Sequence, residues 1–139
     1  MRYLLDTHAV VWLLSSQDAR LPNDLRESIR YCEDSYFISE ISLIEIIQLQ
    51  QLKKIDLNYC PTAIREIIEH NNIMTLPVMS DILEVFYNLN IPVINGSRHS
   101  DPFDRIIIST AIRRGLTLVS ADQKFPWYAE NYQLMLRGI

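Results

Sequence analysis

The stretch from His99 to Asp122, HSDPFDRIIISTAIRRGLTLVSAD, constrains the fold of this chain more than any other. Asp101 followed by Pro102 fits a helix N-cap with proline at the first helical position. Asp104 then falls in the first turn, where the helix dipole favours an acid. Arg105, four residues after Asp101, adds a helix pair. Arg113 and Arg114 suit the last turn, and Gly115 ends it. Leu116 to Val119 reads as a short buried strand that stops just before a third acid, Asp122. In open α/β sheets the ligand crevice lies outside the carboxyl ends of the parallel strands, so acids at helix starts and strand ends can meet there although remote in sequence.

The rest of the chain follows the same alternation. Tyr3 to Leu5 predicts a strand, and Asp6 caps a helix whose Val10, Val11, Leu13 and Leu14 face the core. Leu21-Pro22 opens a helix over 23–31, and Tyr36 to Ile38 predicts a second buried strand. Ser39 or Ser42 then caps a helix running toward Lys54. Pro61 begins a helix to His70, Ile73 to Leu76 is strand-like, and 81–89 reads as a helix. Residues 90–97 read as a loop. After Asp122 we expect a short turn near Phe125-Pro126, an aromatic cluster (Trp127, Tyr128, Tyr132) and a final edge strand over 133–136. The expected architecture is therefore α/β, one domain spanning 1–139, as suits a chain of this length.

Charge and composition narrow the function. The net charge is −4 and the pI about 5.3, against a protein that holds nucleic acid by bulk positive charge. They leave room for a nuclease, because a site built from carboxylates lowers the net charge by itself and a bound metal reverses the local sign. Only two cysteines occur, Cys32 and Cys60, and Asp6 interrupts the apolar start. We therefore expect no signal peptide, no membrane span and a reduced cytoplasmic home. With three glycines there is no glycine-rich phosphate loop, and no serine–histidine or cysteine pair suggests nucleophilic catalysis.

Glu45 adds a fifth informative acid. Its helix face carries Ile41, Leu49 and Leu52, and a lone buried charge costs several kcal/mol, so something positive is expected to meet it. That partner is either an arginine such as Arg105 or a metal ion, unless the side chain escapes to solvent. Glu40, off this face, and Asp81 read as solvated charges. Capping explains Asp6 or Asp101 taken singly, but not the joint placement of the acids. Two like charges about 4 Å apart repel by about 4 kcal/mol at an effective dielectric of 20, so gathered carboxylates need cations among them. Mg²⁺ or Mn²⁺ takes such oxygen ligands, lowers the pKa of a bound water and stabilises charge developing on a phosphate. Thr7 or Ser120 adds a hydroxyl for ligand or water, and Arg113 and Arg114 are further candidates for phosphate.

The segments LLDTH, SLIEI, HSDPFDRIIISTA and LVSAD resemble, in order and over essentially the whole chain, the PIN-domain ribonucleases, among them the VapC-type toxins of toxin–antitoxin pairs. Carried over, the resemblance puts catalytic and metal-binding roles on Asp6, Glu45, Asp104 and Asp122. Asp101 accompanies them as a possible metal ligand, and Thr7, Ser120 and Arg105 are placed near substrate. Ser120 stands where threonine is common, which keeps a hydroxyl. The resemblance implies a three-layer α/β/α fold on a mainly parallel five-stranded sheet and Mg²⁺- or Mn²⁺-dependent cleavage of RNA. It also implies a homodimer and a cognate antitoxin as partner. The alternatives are a PIN nuclease of RNA processing or of structured DNA, and a PIN-like module that binds without cutting.

Overall fold

The computed structural model describes residues 1–15 and 17–139. The chain opens with β1 (Arg2–Leu5), α1 (Thr7–Leu14), a 3-10 turn (Asp18–Arg20) and α2 (Asn23–Arg30). It continues through β2 (Ser35–Ser39), α3 (Glu40–Gln51), α4 (Pro61–His70), β3 (Ile73–Leu76) and α5 (Ser80–Asn88). A hairpin of β4 (Val93–Ile94) and β5 (Ser97–Arg98) leads into α6 (Pro102–Arg114), β6 (Thr117–Ser120), α7 (Phe125–Asn131) and β7 (Leu136–Gly138).

Five strands form one sheet in the order β3-β2-β1-β6-β7, and every pairing in it is parallel. From β1 the chain moves outward through β2 to β3 on one side, then returns to lay β6 and β7 on the other. The boundary between β1 and β6 is therefore the topological switch point, where a crevice opens at the carboxyl ends of the strands. Strand period places alternate residues on opposite faces. Tyr3, Leu5, Tyr36, Ile38 and Val119 pack with Val10 and Leu14 of α1, Leu25 and Ile29 of α2, Leu43 and Ile46 of α3, and Ile64 and Ile68 of α4. Leu4, Phe37 and Leu118 pack instead with Ile107, Ile108 and Ala111 of α6 and with Phe125 and Tyr128 of α7. The result is the expected α/β/α sandwich with two cores. Truncating a fully buried side chain such as Leu4 or Ile108 to alanine would cost about 2–5 kcal/mol.

α6 is delimited as its sequence requires. Asp101 Oδ1 accepts from the Phe103 N–H at 2.9 Å, and Pro102 occupies the first turn. Gly115 ends the helix in the left-handed region (φ 62°), a conformation that costs other residues about 1–2 kcal/mol. α3 spans the boundary between the layers, since its Ile41 packs in one core and its Leu43 and Ile46 in the other.

Several local expectations are corrected. Residues 90–97 were expected to be loop, but Asn95 and Gly96 both take positive φ (50° and 78°) and close the β4–β5 hairpin. The expected turn after Asp122 is present, with the Phe125 N–H donating to Asp122 O at 3.3 Å, but the aromatic residues that follow form the unforeseen α7, because burial of Phe125 and Tyr128 outweighs weak helix propensity. The edge strand is 136–138, not 133–136, since the register on β6 selects Leu136, Arg137 and Gly138. Glu40 is not simply solvated: its Oε1 accepts from the Val78 N–H at 2.8 Å and ties α3 to the segment after β3. Asp81 is likewise engaged, by Arg113 (3.1 Å) and Arg114 (2.5 Å), which spends those arginines on α5 instead of on phosphate.

Candidate active site

The acids assemble from elements whose ends meet at the switch point. Leu5 pairs with Val119 across β1 and β6, and the Asp6 N–H donates to Val119 O at 3.0 Å, which extends that register by one step. Asp6 is thereby carried opposite Ser120. Its Oδ1 accepts from the Thr7 N–H at 2.7 Å as the α1 cap, and its Oδ2 accepts from Ser120 Oγ at 2.7 Å. Ser120 Oγ in turn accepts from the Asp122 N–H at 3.0 Å, and Asp122 Oδ1 from the Lys124 N–H at 2.8 Å. One hydroxyl thus links the first acid to the turn that carries the last. Asp6 is only 3% exposed, Glu45, Asp104 and Asp122 are half-buried, and Asp101 is exposed.

Electrostatics gives the sharpest view of their mutual proximity. Burial first, and then the charges of Asp101, Asp6, Asp122 and Glu45, together push the Asp104 carboxyl up to about 8. Glu45 is raised as well, first by burial, then by Asp101 and Asp6, while a hydrogen bond from Thr7 opposes the shift. Asp6 is raised by burial despite the Ser120 hydrogen bond, with Asp122 adding to the rise and the exposed His8 opposing it. Each of the four acids therefore lies within the field of others from distant parts of the chain. Among the described residues no lysine or arginine forms an ion pair with any of them. Nor do any three acid, histidine or cysteine side chains there already stand close enough together to hold a metal ion. The donor set is nonetheless all oxygen and, when ionised, strongly self-repelling, which fits a hard divalent cation of the Mg²⁺ or Mn²⁺ type.

Three polar side chains expected near substrate make their hydrogen bonds within the protein. Arg105 meets neither Glu45 nor the cleft: it is buried, donates to the carbonyls of Leu89 (2.9 Å) and Phe86 (3.3 Å) and stacks on the Phe86 ring, pinning α5 to α6. The arginine that the resemblance places near substrate thus ties α5 to α6. Thr7 and Ser120 are likewise engaged within the protein. Their hydroxyls are buried and turned inward, Thr7 donating to Ser42 Oγ (3.0 Å) and Ser120 to Asp6 Oδ2 (2.7 Å). The sequence reading also missed His99. It is 4% exposed, with Nε2 3.1 Å from Asp104 Oδ2 and Nδ1 2.9 Å from the Tyr128 hydroxyl. Its place two residues before Asp101 was the available signal. Two apolar grooves lie elsewhere, about 540 Å³ between α5 and α6 and about 340 Å³ between α3 and α4, and none of these acids lines them.

Comparison with known proteins identifies the family and the fold. The sequence matches the PIN domain family over residues 3–131. This chain is a PIN domain. PIN domains are nucleases, which makes the chain a hydrolase of the type that acts on nucleic acid. Searched against curated proteins, it has no match. Its fold is similar to that of VapBC2 from Rickettsia felis bound to a promoter DNA fragment, at TM-score 0.66 and 18% identity over 99% of this PIN domain and 98% of that chain. DNA-bound VapBC from Salmonella typhimurium gives 0.64 at 16% identity, and VapBC-1 from nontypeable Haemophilus influenzae 0.59 at 19%, each over 99% of this chain and 98% of the other. No helix among the described residues of this PIN domain is long and apolar enough to cross a membrane.

Proposed function

We propose that this PIN domain is a Mg²⁺- or Mn²⁺-dependent endoribonuclease and the toxin of a toxin–antitoxin pair. The observation that carries the reading is the convergence of charge on Asp104, whose carboxyl is held near 8 by burial and by Asp101, Asp6, Asp122 and Glu45 together. Uncompensated acids at a switch point are costly to maintain, and a divalent cation offsets that cost. In this reading Asp6, Glu45, Asp104 and Asp122 hold the metal, with Asp101 at the rim. The ion supplies a water of lowered pKa and neutralises charge developing on the phosphate. Ser120 keeps the Asp6 carboxylate oriented, and the exposed Asp101 and His8 border the path by which a strand would enter.

The toxin assignment draws support from the VapBC toxin–antitoxin neighbours and from apolar side chains left exposed on α5 and beyond it, Leu83, Tyr87, Ile91 and Val93. Such a surface suits an antitoxin or a second copy of the chain. The test is incubation of the purified chain with total RNA and Mg²⁺, followed by mapping of the new ends. We expect discrete internal cuts that vanish with chelator and in Asp6→Ala and Asp104→Ala. Cutting that survives both substitutions would overturn the reading.

A further inference from the structure

We propose that His99 is a positioning residue for the acidic site: backed by the Tyr128 hydroxyl, its ring donates from Nε2 to Asp104 and fixes the orientation in which that carboxylate meets a divalent ion. The inference rests on Asp104 being a metal-binding acid. Its geometric basis is a relay of three side chains from three parts of the chain. His99 is anchored first through its backbone, whose N–H donates to Pro92 O at 2.8 Å across the base of the β4–β5 hairpin. The ring stands edge-on to Tyr128, with centroids 5.5 Å apart, and both its nitrogens are engaged, Nδ1 at 2.9 Å from the hydroxyl and Nε2 at 3.1 Å from Asp104 Oδ2.

Donor accounting fixes the direction of the relay. Once Asp104 is ionised, as a carboxylate holding a cation is, it only accepts, so Nε2 carries the proton; the neutral imidazole then presents a bare Nδ1, which accepts from the tyrosine O–H. Tyr128 is wholly buried and packed between Trp127 and Tyr132, with centroids at 5.0 and 6.2 Å, so its hydroxyl is held in place by the aromatic core of α7. Asp104 Oδ1, by contrast, receives no hydrogen bond among the described residues. One oxygen is thus oriented by the protein and the other is left for an incoming ion, as when a ligating carboxylate is steadied from behind.

The test is titration calorimetry of Mn²⁺ into the full chain without RNA, with thermal melting in chelator alongside. Wild type is compared with Asp104→Asn, His99→Leu, His99→Gln and Tyr128→Phe. We expect His99→Leu to weaken Mn²⁺ binding by about 10–100-fold. His99→Gln, whose amide nitrogen falls near Nε2, should recover part of the loss, and Tyr128→Phe should lose less than His99→Leu in the same direction. Tyr128→Phe removes one oxygen and keeps the packing, so it carries the test if His99→Leu does not fold. Wild-type Mn²⁺ affinity in Tyr128→Phe and in a folded His99 variant, with Asp104→Asn impaired, would overturn the positioning role. Wild-type affinity in Asp104→Asn would overturn the metal-binding reading beneath it.

Discussion

The two ends of α6 solve the same electrostatic problem in opposite ways. At its C-terminus Arg113 and Arg114 close on Asp81 of α5, and their guanidinium hydrogen bonds hold that carboxyl down to about 2. At its N-terminus Asp101 and Asp104 face further acids with no arginine or lysine among the described residues to pair them, and Asp104 is pushed up to about 8. One helix thus carries a satisfied clasp and an unsatisfied cluster. Ion pairs were available to this chain, since Arg105 lies one residue from Asp104, but that arginine is turned away to carbonyls of the α5 C-terminus. The contrast separates charge used for packing from charge left without an arginine or lysine partner among the described residues.

The largest effect should come from the open end. Asp104→Asn is expected to lower RNA cleavage by more than about 100-fold, beyond the range typical of groups that only steady a ligand, while leaving the metal-free protein folded in thermal melts. Next, Ser120→Ala removes the hydroxyl that serves both Asp6 and the Asp122 N–H, and leaves a buried carboxylate oxygen without its donor. A stability loss of about 1–3 kcal/mol by denaturant titration and weaker Mn²⁺ binding should follow together. Loss of stability with unchanged Mn²⁺ affinity would detach Ser120 from the acid cluster.

A smaller signal lies in pH. Asp104 binds its proton more tightly folded than unfolded, so its contribution is full below the ordinary value of 3.8 and is lost as pH rises toward about 8. Metal-free melts should therefore fall over that window, and the fall should flatten in Asp104→Asn. Asp81 has the opposite sign, contributing above its ordinary 3.8 and losing that contribution as pH drops toward about 2. The smallest effect is expected from Asp81→Ala, a slight drop in melting temperature that shrinks with salt, because solvent screens the clasp. Cleavage should be unaltered. A large change in cleavage on opening the clasp would erase the distinction between the two ends of α6.

Local signals told much of this in advance. Asp101-Pro102 and Gly115 bounded α6 because capping and left-handed glycine act within a few residues, and the apolar alternation of Tyr3 to Leu5 and Tyr36 to Ile38 marked two central strands. The acids Asp6, Asp104 and Asp122 were conspicuous because they sit where regular elements begin or end. What segments read singly did not hold was which polar side chains face one another. Arg105 and Glu45 looked like partners, yet helix phase turns the arginine to α5; Asp81 looked free, yet α5 packs beside the end of α6. His99 and Tyr128, 29 residues apart, had no local reason to be related.

By itself, then, the sequence determined the alternation of strands and helices, the ends of α6 and the identity of the acids, because these follow from propensity, capping and hydrophobic period over short spans. Only the tertiary structure decided the strand order that brings β1 beside β6, the burial that raises Asp104, and the relay from Tyr128 through His99. Those depend on contacts between residues far apart in the chain, where distance and burial rather than neighbouring sequence set the energy.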